Sequence, residues 1–127
     1  MCQEHMPTLI ADGYAAGSGP HAERLEAALT KAFEELDARV SAEDRGGDGT
    51  TATVVLLDAD EITVASVGDS WAMLFTADGT AQRISADHRV GRRTAAEDAR
   101  ITAAGAQFGR VRGRDGNPVG PERIYPG

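Results

Sequence analysis

The chain has 127 residues, of which 41% are hydrophobic and 26% charged, with a formal net charge of −7 and a single cysteine. This is the composition of one small domain or part of a larger one, and the solitary Cys2 excludes an intrachain disulfide and any zinc site built on several thiolates. The longest apolar run, Val54 to Leu57, falls far short of the roughly 20 residues that a membrane-spanning helix needs. No membrane partner is expected, and an acidic chain with no basic stripe interleaved with aromatic residues argues equally against nucleic acid.

The first ten residues carry Glu4 and His5 and no basic start before an apolar stretch, so they do not read as a secretory signal and a cytoplasmic location is the default. From residue 20 to 40, Leu25, Leu29, Phe33, Leu36 and Val40 recur at helical spacing, with Ala28 and Ala32 in the same stripe. Ser18, Gly19 and Pro20 supply a start, and Glu23 and Glu26 suit the positive end of the helix dipole. Ser41 to Gly49 is polar and glycine-rich and reads as a loop.

The period then changes to that of strands. Thr51 to Leu57, Ile62 to Val67 and Ala72 to Thr76 are β-branched and apolar runs, and Gln82 to Ser85 completes a fourth. Their links are short and the last holds the Asp78-Gly79 pair of a hairpin turn, so the strands are expected to be antiparallel neighbours in a meander over residues 51 to 85. Thr94 to Ala104 reads as a second amphipathic helix stopped at Gly105, with Ala95, Ala99, Ile101 and Ala104 on its apolar side. Gln107 to Arg112 reads as a short strand, and residues 113 to 127, rich in glycine and proline, as a loop.

The class is therefore α+β. Both alternating sets of the first strand, Thr53, Val55 and Leu57 against Ala52, Val54 and Leu56, are largely apolar, which calls for a covering layer on each face of the sheet. The helix over 20 to 40 supplies one such layer, with the sheet as its expected partner.

Charge is uneven along the chain: residues 1 to 66 hold 13 acids and 4 bases, residues 67 to 127 hold 7 acids and 9 bases. Arg110, Arg112 and Arg114 have the side-chain geometry for a phosphate, although beside Gly113 and Gly116 they read first as a solvated loop.

Four strings occur in order: Gly49-Thr50-Thr51-Ala52, Val67-Gly68-Asp69-Ser70-Trp71-Ala72, Ile84-Ser85-Ala86-Asp87-His88-Arg89, and Glu97-Asp98-Ala99-Arg100-Ile101 ahead of Ala104-Gly105-Ala106. This succession resembles the metal-dependent protein serine/threonine phosphatase family, the type 2C or PPM group, over most of the chain. Trp71 departs from the Arg that is usual in its string. The resemblance implies part of an α/β/β/α sandwich with antiparallel sheets, and an activity that hydrolyses phosphoserine and phosphothreonine in phosphorylated protein partners with two Mg or Mn ions. It also implies that residues 1–127 form a partial domain, because the family's Asp-Gly-His-Gly-Gly motif and its later metal-binding aspartates have no matching positions. No catalytic residue can be carried over. Only Asp69 maps onto a position with a metal role, and one carboxylate is too few for a hard cation. The chain taken alone is expected to be inactive and to bind no metal stably, which leaves a non-catalytic binding module as the alternative function.

Other chemistries fit less well. Gly68-Asp69-Ser70 with Asp87-His88 has the residue types of a hydrolase triad, yet the serine joins two strands instead of opening a helix, and the same Gly-Asp-Ser sequence makes a good tight turn. His88 reads as a hydrogen-bonded structural residue, His5 and His21 as surface residues, and Gly49-Thr50-Thr51 lacks the lysine of a phosphate-binding loop.

Overall fold

A computed structural model of the chain describes residues 2–43 and 49–125. They fall into two compact units, Met1–Thr50 and Thr51–Gly127.

The first unit is a helical hairpin of α1 (Cys2–Ala16) and α2 (His21–Glu43). The stripe expected on α2 is buried: Leu25, Ala28, Leu29, Ala32 and Leu36 are all 9% exposed or less. Its partner within the unit is α1, which contributes the buried Met6 and Ile10. The sequence offers the sheet as the partner of this stripe; its resemblance places a helix at Cys2 to Met6, and α1 extends that helix through Pro7 and Gly13 to Ala16. Pro7 removes one backbone donor from the helix interior. Gly13 serves packing: a Cβ there would lie 3.3 Å from the Cα of Ala28, so the two backbones cross at a point where only small residues fit. Burial of each leucine in this seam contributes about 2 kcal/mol.

Gly19 takes φ +100° in the connection, and the carbonyl of Pro20 accepts the first helical bond, from Arg24 N at 3.1 Å. Arg24 then closes the hairpin: its Nη2 donates to Tyr14 O at 2.7 Å and its guanidinium sits 4.0 Å from the centre of the Tyr14 ring. His21 is exposed, as expected, and its Nδ1 lies 2.8 Å from Tyr14 Oη. Helix α2 continues through Ser41 to Glu43, residues expected to be loop. The rest of that expected loop, residues 44–48, lies outside the described residues.

The second unit is α+β with antiparallel strands throughout, as the strand spacing required. Strand β1 (Ala52–Asp58) pairs with β2 (Glu61–Val67) in a register that sets Val55 opposite Val64 and Leu57 opposite Ile62. Strand β3 (Met73–Phe75) pairs with β4 (Ala81–Arg83) across the expected Asp78-Gly79 turn, where Gly79 takes φ +85°. The strands between 51 and 85 form in the expected order and are antiparallel, but the expected continuous meander is corrected to two separate hairpins, because the turn at Gly68 leads from β2 to β3 without pairing them.

A 3-10 turn (Val90–Arg92) leads to α3 (Ala95–Ala103), capped by Thr94, whose hydroxyl accepts from Glu97 N at 3.2 Å. This cap satisfies one of the donors left open at a helix start. Ile101 anchors the helix at 6% exposure. The loop expected over 113 to 127 is corrected. Strand β6 (Pro118–Tyr125) pairs with β5 (Gln107–Arg112), with an irregularity opposite Arg110. Pro118, Gly120 and Pro121 weaken the strand pattern, and the strand accommodates them at its first residue and in that irregular stretch. On β1 and β2, Val55, Leu57 and Ile62 share one face and are 43%, 76% and 41% exposed.

Candidate functional site

From Thr51 onward, the four strings singled out in the sequence come together in the second unit. Thr51, at the head of β1, and Ser70, just after β2, approach with 2.7 Å between their hydroxyl oxygens. The turn between β2 and β3 needs Gly68, which holds φ +85° and leaves no room for a side chain, because an added Cβ would fall 2.5 Å from Thr51 Cγ2. The third string lies alongside. Ala72 N donates to Ser85 Oγ at 2.9 Å, and Ile84 N donates to Ala72 O at 3.0 Å.

Arg89, from that third string, reaches back to the turn, with its Nε 3.6 Å from Asp69 Oδ2. Both side chains are about half exposed, at 47% and 51%, so the pair contributes at most about 1 kcal/mol. Asp87 shapes its own segment by accepting from Arg89 N at 3.1 Å, the bond chiefly responsible for its lowered pKa; Arg83 Nη1 adds a contact at 3.2 Å. The guanidinium of Arg83 also sits 5.0 Å from the centre of the Trp71 ring. The Trp71 indole is thus a platform for a cation.

The fourth string joins through His88, whose Nδ1 lies 3.1 Å from Glu97 Oε1. Glu97 also accepts from Arg100 at 2.7 Å and 3.1 Å, and its pKa is lowered to about 2, by the Arg100 hydrogen bond first and the His88 contact next. His88 thus has the structural role expected of it. With Ser70 bonded to Thr51 and His88 bonded to Glu97, the residues of the hydrolase-triad reading are turned to other partners.

Sequence reasoning missed Arg93. This guanidinium is 4.0 Å from the centre of the Phe108 ring, donates to Asp98 and to the Val90 carbonyl, and meets Glu122 at 3.0 Å. It ties the 3-10 turn, α3, β5 and β6 together. A lone arginine before a helix cap, with its partners up to 29 residues away, carries no local signal.

Among the described residues, no group of three or more His, Cys, Asp and Glu side chains is placed to hold a metal ion. Asp69 has Arg89, a cation of the protein, as its charged neighbour. The described residues therefore do not by themselves fit a divalent metal site. Also among the described residues, no helix is long and apolar enough to cross a membrane.

The family model described as protein phosphatase 2C matches residues 1–116. The chain belongs to the protein phosphatase 2C family. It is 41% identical over 104 residues to "Probable protein phosphatase 2C 5" of Arabidopsis thaliana, covering 81% of this chain and 24% of that relative. It is 36% identical over 124 residues to "Probable protein phosphatase 2C 15" of the same plant, covering 97% of this chain and 27% of that relative. A rice relative, "Probable protein phosphatase 2C 33" of Oryza sativa subsp. japonica, is 35% identical over 125 residues, covering 98% and 28%. This phosphatase 2C chain thus spans about a quarter of the length of the curated relatives it matches. No solved structure matches it. The family is a metal-dependent one, and the four strings gathered around the Gly68 turn lie within the matched residues.

Proposed function

We propose that residues 1–127 form part of a longer phosphatase 2C domain that hydrolyses phosphoserine and phosphothreonine in proteins with Mg or Mn ions. One observation carries this reading: residues of the four strings between Thr51 and Ile101 are joined by Thr51–Ser70, Asp69–Arg89, Ala72–Ser85 and His88–Glu97 contacts in a single unit. Two bound divalent ions would supply an activated water and offset the charge that develops on the phosphoryl oxygens. The residues described here contribute the scaffold. They fix the Gly68 turn and hold the Asp69 carboxylate at the surface, half exposed, where it can serve as one ligand of an additional ion once other carboxylates are brought to it.

The 127-residue chain alone has no metal-dependent turnover in this reading, since its described acids do not converge. The same observation favours a second function, that of a non-catalytic binding module built on the phosphatase scaffold.

The transcript on both sides of these codons, and the protein it encodes, provide the test. Mn²⁺-dependent release of phosphate from a phosphoserine peptide is expected of the encoded protein, reduced by Asp69→Asn, and is not expected of the 127-residue chain. An encoded protein no longer than this chain, and silent in the assay, would leave only the binding module. Mn²⁺-stimulated turnover by the 127-residue chain, abolished by Asp69→Ala, would overturn the scaffold reading.

A further inference from the structure

The formation of β6 changes the meaning of the arginines near the C-terminus. Arg110 and Arg112 do not lie in a glycine-rich loop; they stand on β5, two residues apart and therefore on one face of the β5–β6 hairpin, with Arg114 in the turn that follows. Phe108 shares this face and is covered by Arg93, so the open part of the face is the arginine end. Arg112 is oriented by a bond from its Nη1 to Gly116 O at 3.0 Å, which leaves most of its five N–H donors for another acceptor.

Nearby acids are committed elsewhere. Asp115 accepts from Asn117 N at 3.1 Å and from its side-chain amide at 2.9 Å, and Glu122 meets Arg93. Among the described residues, neither Arg110 nor Arg112 has a carboxylate partner. Residues 107–125 hold four arginines against two acids in a chain whose net charge is −7.

We propose that this face of the β5–β6 hairpin binds an extended acidic peptide segment of a partner protein, with Arg110 and Arg112 each taking an anionic side chain. An extended strand presents every second side chain to one face at about 6.6 Å spacing, which is the spacing of Arg110 and Arg112 along β5. Guanidinium groups grip carboxylates by paired N–H bonds. A long polyanion such as a nucleic acid is disfavoured, since it would run beyond the short arginine end onto a chain that is acidic as a whole, whereas a short peptide need meet only the arginines. Nothing in this binding requires turnover, so it stands whether or not the phosphatase reading does.

The test is fluorescence anisotropy of the 127-residue chain with a fluorescein-labelled peptide alternating Glu and Thr, run at low salt beside a Lys–Thr peptide and a single-stranded oligonucleotide. Binding of the Glu–Thr peptide alone is expected, weakened by added salt and about tenfold weaker in Arg110→Ala/Arg112→Ala. Lys31→Ala/Arg39→Ala on α2, an equal change of charge in the other unit, is expected to leave binding unchanged. If the double variant loses its strand signal by circular dichroism, Arg110→Glu takes its place, and at least the same loss is expected. The proposal is overturned by no binding at low salt, by unchanged affinity in the arginine variants, or by tighter binding of the oligonucleotide.

Discussion

Thr51 and Ser70 meet through their hydroxyls at 2.7 Å, and the turn that brings them together leaves no volume for a Cβ at Gly68. The first motif of the chain is thereby locked onto the second. Gly68→Ala combines a disfavoured φ of +85° with a 2.5 Å approach to Thr51 Cγ2. It is expected to cost on the order of 2 kcal/mol in chemical denaturation followed by Trp71 fluorescence. Thr51→Ser keeps the hydroxyl and removes the clashing methyl, so the double variant should recover part of that loss. Strict additivity would show that the close approach is not what makes Gly68 necessary.

In the helical hairpin, Leu29 is 4% exposed and follows Ala28, the residue that Gly13 of α1 approaches closely. Leu29→Ala should destabilise the first unit by about 3 kcal/mol. Hydrogen exchange is the suitable measurement, because it can register faster exchange in α1 and α2 with β5 and β6 left unchanged.

Arg93 makes the opposite prediction. Arg93→Lys keeps the charge but loses the planar fork and the stacking surface against Phe108. Several-fold faster amide exchange is expected at β5, β6 and the start of α3, with α1 and α2 unaffected. Equal exchange in the variant and the parent would mean that charge alone suffices.

Acid should loosen α3 from His88 in a defined window. The Glu97 carboxyl titrates at about 2 in the folded chain, against an ordinary value of 4.5. A lowered carboxyl pKa stabilises the fold fully above the unfolded value, and this contribution is lost as pH falls from about 4.5 towards 2. Glu97→Gln should remove that part of the acid sensitivity, and the Glu97 carboxyl carbon shift, followed by NMR, should stay that of the ionised form down to pH 3.

What the sequence disclosed, and what it concealed, divides along physical lines. The α2 stripe, the Asp78-Gly79 turn, the Thr94 to Ala104 helix and the first two strands were legible because each is written in local periodicity or turn chemistry. Helix α1 was legible only over Cys2 to Met6 and only through the resemblance, since Pro7 and Gly13 oppose helix propensity and Gly13 is there for its close approach to Ala28. Strand β6 was hidden by Pro118, Gly120 and Pro121, which only pairing with β5 makes acceptable. At the site, the strings that mark the family could be read directly. The contacts joining them, Asp69 to Arg89 and His88 to Glu97, belong to tertiary structure.

The spans of these contacts also set an order in time. Gly13 meets Ala28 and Ala52 pairs with Val67, so each helical or strand hairpin closes across a short stretch of chain. Such loops close within microseconds and need no help from distant segments. The Arg93–Glu122 contact spans 29 residues and requires α3 and the β5–β6 hairpin to exist already. It is therefore expected among the last contacts to form, and among the first to part when the second unit is pulled or heated.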